Sequence, residues 1–131
     1  MGAPAQTLEL PEGKALYFSR LPDGRAMFVA QIGRDGVLRS LEQRLTRENI
    51  GRLIPGTSTA QDVRALFGPP GAIGHLSRLS REWWEYKYLD YQDQRVLWVQ
   101  FSEDTVVREV LDMRDWAFEL PGMGRSGRKG R

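Results

Sequence analysis

The chain has no cysteine and one histidine. The missing cysteine excludes a disulfide framework, a thiol nucleophile and thiolate metal sites. A single histidine leaves a histidine-based zinc site or histidine-dependent catalysis little material. No apolar run approaches the roughly 20 residues a helix needs to cross a bilayer. The opening MGAPAQTLELPEG lacks the charged stretch and apolar core of a signal peptide. Nor does the chain carry the GxxxxGK[ST] spacing that cradles a phosphate. Glu82, Glu85, Asp90 and Asp93 supply carboxylates near one hairpin, and paired carboxylates can do acid–base work. Nothing beside them marks a pocket that would shift a pKa. The reading is therefore of a chain that is not an enzyme, with no cofactor and no metal.

What is present suits a single packed domain. Of 131 residues, 40% are hydrophobic and 10% aromatic, enough for a core without a staple. The net charge of +2 is unevenly spread. Arg125, Arg128, Lys129 and Arg131 crowd the last residues, and without those four charges the balance is −2. The tail GRSGRKGR offers cations for phosphates or anionic lipid, but its composition is that of a disordered, solubilising end, and nucleic acid is not an expected partner.

Turn residues and alternation divide the rest. Residues 1–12 read as a flexible lead-in. Three strands follow, KALYFSR, RAMFVAQI and VLRSLEQRL, joined by a Pro-Asp-Gly turn and by the Asp35-Gly36 turn. Thr46 can cap a helix carrying Leu45, Ile50 and Leu53, which Pro55-Gly56 ends. In GTSTAQDVRALFGPP, Ser58/Gln61 and Thr59/Asp62 both have capping-box spacing. Val63, Leu66 and Phe67 share one helical face, and Gly68-Pro69-Pro70 stops the helix. So short a helix is marginal alone and needs a sheet to lie on. GAIGHLSRLSRE reads as a mobile loop, and EWWEYKYL, RVLWVQF and VVREVLDM as three further strands.

Moved back by 69 positions, residues 84–112 lie on 15–43 without a gap. Tyr17 meets Tyr86, Gln31 Gln100, Asp35 Asp104, Val37 Val106 and Arg39 Arg108. The shared strand-turn-strand-turn-strand layout marks an internal repeat. The resulting expectation is an α+β fold with two short helices packed on antiparallel β-sheet and two related three-stranded meanders, ordered β-β-β-α-α-β-β-β. The domain spans 13–118, with 13–45 the strand half of a first repeat, 46–118 a complete second repeat, and 119–131 a disordered basic tail. Helices matching those of the second unit would fall before residue 1, so the chain is expected to be part of a longer product.

The stretch LTRENIGRLIPGTSTAQDVRALFGPP, followed by WWEYKY and VLWVQFSED, resembles the SmpA/OmlA family of BamE-like outer-membrane assembly lipoproteins. Pro55-Gly56, Ser58, Val63, Gly68, Pro70, Trp84, Tyr86, Val99, Phe101 and Asp104 occupy the family's pattern over about 45–112. Thr105 departs from it, standing where a glycine usually follows the turn aspartate. The partial second repeat is similar to the tandem design of the β-lactamase inhibitory proteins. The resemblance implies a non-catalytic protein-binding module on the periplasmic face of the outer membrane, in the cell envelope. It would be the C-terminal part of a lipoprotein whose lipid anchor lies upstream, with a scaffolding role in envelope or barrel-protein assembly. A soluble inhibitor binding an enzyme through its sheet face is the alternative. A domain-swapped homodimer is a further expectation, because helix and sheet halves are separable.

Alternation assigns the partner surface. Trp84, Tyr86, Leu97, Val99 and Phe101 fall on the core face of their strands. Trp83 and Lys87 fall on the opposite face, as do Trp98 and Gln100 in the next strand. Such aromatics either pack against the first meander or the C-terminal segment Trp116–Phe118, or stay exposed as hot-spot material for a protein partner. These four, with His75 and Arg78 of the neighbouring loop, are the candidate partner-binding residues.

Overall fold

The computed structural model describes residues 3–20 and 25–115. Strands β1 (Gln6–Leu10), β2 (Gly13–Arg20), β3 (Ala26–Gly33) and β4 (Leu38–Gln43) form one antiparallel meander, sheet 1. Helices α1 (Arg47–Ile50) and α2 (Ala60–Phe67) follow. Strands β5 (Ala72–Leu76), β6 (Arg81–Asp90), β7 (Asp93–Phe101) and β8 (Val107–Arg114) form a second meander, sheet 2.

This corrects the α+β expectation. Strand accounts for 56% of the described structure, in two four-stranded sheets, and both helices are short. The first helix, expected over 46–54, is a single turn. The lead-in is not loose, because Leu8 and Leu10 alternate onto the core and draw Gln6–Leu10 into β1. The expected mobile loop is likewise ordered in part. Ala72–Leu76 pairs with Arg81–Glu85 as β5, through a 3-10 turn at Ser77–Leu79. The Pro22-Asp23-Gly24 turn, the segment Trp116–Phe118 and the basic tail 119–131 lie outside the described residues.

Helix α2 forms as its caps dictate. Thr59 accepts from the Asp62 amide at 3.2 Å and Asp62 accepts from the Thr59 amide at 2.9 Å, so of the two capping-box spacings the second is the one used. Ser58 is spent elsewhere, accepting from the Ile54 amide. Gly68 closes the helix at φ 81, where a Cβ would press on Met27 and Tyr17. Val63 and Phe67 are fully buried. The Phe67 ring lies 5.6 Å from that of Tyr86, and the Arg64 guanidinium sits over Trp84 at 5.0 Å.

The last four carbonyls of a helix have no partner within it. Here sheet 1 supplies partners. Tyr17 donates to the Ala65 carbonyl at 2.5 Å and Gln6 to the Arg64 carbonyl at 3.1 Å. Tyr86 of sheet 2 donates to the Gly68 carbonyl at 2.7 Å. The helix end is thus bonded to both sheets, and one core runs from Ala15, Tyr17, Met27 and Val29 through Leu45, Ile50, Val63 and Phe67 to Trp84, Tyr86, Leu97, Val99 and Phe101. A buried ion pair, Arg25 to Asp115 at 2.6 Å, adds a polar tie between the start of β3 and the end of β8.

The registers also correct the gapless repeat. Tyr17 faces Val29, whereas Tyr86 faces Leu97, and those pairs do not match at a constant 69. With β3 laid on β7, the partner of Phe28 is Phe18, so Phe18 rather than Tyr17 takes the place of Tyr86. The two hairpin connections differ in length by an odd number, and a one-residue slip turns every side chain of β2 to the other face.

Phe67→Ala should cost about 3–5 kcal/mol, since it empties the centre of this core; denaturant unfolding measures it, and a loss below 1 kcal/mol would contradict the packing. Burial holds the phenols of Tyr17, Tyr86 and Tyr88 above the ordinary value of 10.0. Their protonated form is favoured in the folded state, so this contribution is intact below pH 10 and is lost as pH rises past it. Phenolate absorbance from these three should appear only together with unfolding in an alkaline titration.

Candidate functional site

The outer face of sheet 2 carries four of the six candidate residues. Along β6, Trp83, Glu85 and Lys87 point away from the helices; opposite them on β7 stand Gln100, Trp98 and Val96. The structure therefore brings Trp83, Trp98, Lys87 and Gln100 together, as alternation anticipated. It places the core set on the other face, with Trp84 6% and Tyr86 2% exposed and Leu97 and Val99 fully buried.

The two indoles are fixed rather than loose. Trp83 and Trp98 stack with centroids 5.8 Å apart and planes 27° from parallel. Trp98 donates to the Glu85 carboxylate at 2.8 Å, across the strand pair. Trp83 lies flat over Gly74 of β5, where a Cβ would meet its ring at 2.1 Å. A glycine in an edge strand gives an aromatic ring somewhere to lie. Gln100 accepts from Arg81 at 3.0 Å, and Arg81 also reaches Glu109 at 3.6 Å. Lys87 lies 4.0 Å from Asp115, whose carboxylate the Arg25 guanidinium holds. The result is a half-buried aromatic pair with charged groups of both signs around it.

His75 and Arg78 do not join this face. His75 pairs with Glu82 and shares the helix-facing side, with its ring 3.9 Å from the Glu82 carboxylate and well exposed. Arg78 lies in the exposed 3-10 turn. His75 instead lines a cavity of about 540 Å³, open beyond the start of α2, with Trp84 and Phe101 at its floor and Glu82, Ser102 and Thr105 among its walls. Sequence reasoning did not find this cavity. Its one available signal was Thr105 in the glycine place of the turn, and Thr105 does adopt positive φ, at 64.

Three of the four carboxylates considered for acid–base work are separately engaged. Glu82 accepts from the Trp84 indole, Glu85 from Trp98, and Asp90 from Arg47 at 3.3 Å. Among the described residues no three histidine or acidic side chains gather as a metal site, and no helix is long and apolar enough to cross a membrane. Comparison with known protein families, curated proteins and solved structures gives no match for this chain.

Gly74→Ala should displace the Trp83 indole, because the added methyl occupies the space of the ring. Tryptophan emission should shift to the red while the fold persists. Unchanged emission would mean that Trp83 does not rest on β5.

Proposed function

We propose that this chain is a non-catalytic protein-binding module of the SmpA/OmlA, BamE-like kind, working through the outer face of sheet 2. The observation that carries the reading is the Trp83–Trp98 stack, anchored by Glu85 and Gly74 and left half-open. Pre-ordered aromatics with a polar rim suit recognition of another protein, since little side-chain freedom remains to be lost on binding. The helix-capping pattern, the Gly68-Pro69-Pro70 stop and the Trp84/Tyr86 core support the family resemblance. In this reading the module scaffolds barrel-protein or envelope assembly at the periplasmic face of the outer membrane, held there by a lipid anchor upstream of this chain.

The test is affinity purification from gently crosslinked cell envelopes, with wild type and Trp98→Ser side by side. Wild type should recover outer-membrane barrel-assembly components, and Trp98→Ser should recover at least tenfold less while keeping its fold. A hot-spot tryptophan contributes about 2 kcal/mol or more to binding, which sets that expectation. Recovery of one soluble enzyme instead would replace scaffolding with inhibition. Equal recovery by both forms would remove the tryptophan face from the interaction.

A further inference from the structure

A strand at the edge of a sheet leaves part of its backbone without a ladder partner, and proteins blunt such an edge with charge, proline or a bulge. Three of the four edges here are blunted. β1 carries Glu9 and lies between Pro4 and Pro11. β4 is bulged against Gln31/Ile32 and carries Arg39 and Glu42. β8 is bulged against Gln100/Phe101 and carries Arg108, Glu109, Asp112 and Arg114. Its first residue, Val107, is also bonded to Gly56 and Ser58. β5 differs from all three. Ala72–Leu76 has no register shift, no proline and no acidic, lysine or arginine side chain.

The ladder fixes which backbone groups of β5 are free. Opposed residues in an antiparallel pair alternate between bonded and unbonded. The Glu85 carbonyl points toward β5, accepting from the Gly71 amide at 2.9 Å. The two-residue turn between Asp90 and Asp93 sets the same phase. Its closing pair is bonded, so every second residue from Asp90 back to Glu82 turns its backbone to β7. Trp83 and Glu85 therefore bond Gly74 and Ala72. The N–H and C=O groups of Ile73 and His75 point away from β6, with no backbone partner among the described residues.

The side chains along this edge are open. Ile73 is 50% exposed, Leu76 36% and Leu79 59%. At the Leu76 end, on the helix-facing side, lies the cavity of about 540 Å³ floored by Trp84 and Phe101. Its carboxylates are Glu82, partly exposed, and Glu103, exposed. The Arg81 guanidinium is turned to Gln100 and Glu109 instead.

Free strand groups are complemented by another strand. We propose that β5 takes an extended segment of a partner protein as a fifth strand of sheet 2, with a basic side chain of that segment entering the cavity. Backbone bonds to Ile73 and His75 hold the segment. Its lysine or arginine, opposite His75 on the helix-facing side, runs its stem into the cavity and sets its charge by Glu82 and Glu103. A second copy of β5 does not complete the site. Paired about the central Gly74, it sets its Ala72 and Gly71 against the cavity end, and these offer neither a cation nor a long side chain. This site lies on the edge of the sheet and does not depend on the reading of the Trp83–Trp98 face.

The probe is a phage-displayed library of short random peptides, selected on the full chain. Enriched peptides should alternate β-branched residues and carry a lysine or arginine. A synthetic copy of one should protect the Ile73 and His75 amides from hydrogen exchange. Ile73→Pro removes an N–H that faces outward, where an edge strand tolerates proline. It should weaken binding about tenfold, and Glu103→Lys about threefold, with circular dichroism confirming both folds. Helical peptides, protection confined to other amides, unchanged binding by Ile73→Pro, or a selection that enriches nothing would each overturn the proposal. So would protection of the same two amides by raised protein concentration alone, which would assign the edge to a second copy. Neither variant lies in the tryptophan stack, so failure here leaves the reading of that face standing.

Discussion

The C-terminal end of α2 holds this molecule together. A helix that stops inside a protein must find donors for its last carbonyls; here the Gly68 amide bonds the Arg64 carbonyl, and two sheets distant in sequence supply further donors to the helix end and its cap. Tyr17 and Gln6 reach in from sheet 1, and Tyr86 from sheet 2. The same turn buries Phe67 against the Tyr86 ring and Gly68 against Met27 and Tyr17. Hydrogen bonding and apolar packing therefore act on one short segment, and breaking the helix would leave the sheets tied mainly by the Arg25–Asp115 pair and the direct β3–β6 contact. That explains why a helix of eight residues is capped so firmly at both ends.

With its inner face committed to the helices, sheet 2 turns Trp83 and Trp98 outward. Their positions follow from the strand period of two once Trp84 and Tyr86 are claimed by the core. Glu85 and Gly74 then decide how those indoles lie, so contacts within this chain order the face. The buried Arg25–Asp115 pair lies beyond the Lys87 end of the same face.

Much of this was legible in the sequence. Alternation and turn residues located six strands, and the Thr59–Asp62 spacing and Gly68 bounded α2 at both ends. The face assignment of the tryptophans followed from the same alternation. Two edge strands were missed for definite reasons. β1 is short and flanked by prolines at Pro4 and Pro11, and in β5 the outward position is Gly74, whose missing side chain makes room for Trp83 and erases the pattern. With those strands counted, the fold is mostly β. The repeat was legible in its turns, where identical residues make identical ion pairs. It failed in β2, because a one-residue difference in a hairpin connection leaves the Tyr17/Tyr86 identity in place while reversing its face. His75 and Arg78 lie apart from the tryptophans, because β5 pairing sends His75 to the opposite side and Arg78 sits in the 3-10 turn.

The most direct measurement is native-state hydrogen exchange in wild type and in Tyr17→Phe, followed at the amides of Val63–Gly68 and of β6–β7. If the α2 end binds the sheets into one cooperative unit, losing the Tyr17 hydroxyl should speed exchange in α2 and in sheet 2 as well as in sheet 1. Faster exchange confined to sheet 1, with α2 and sheet 2 protected as before, would contradict that account.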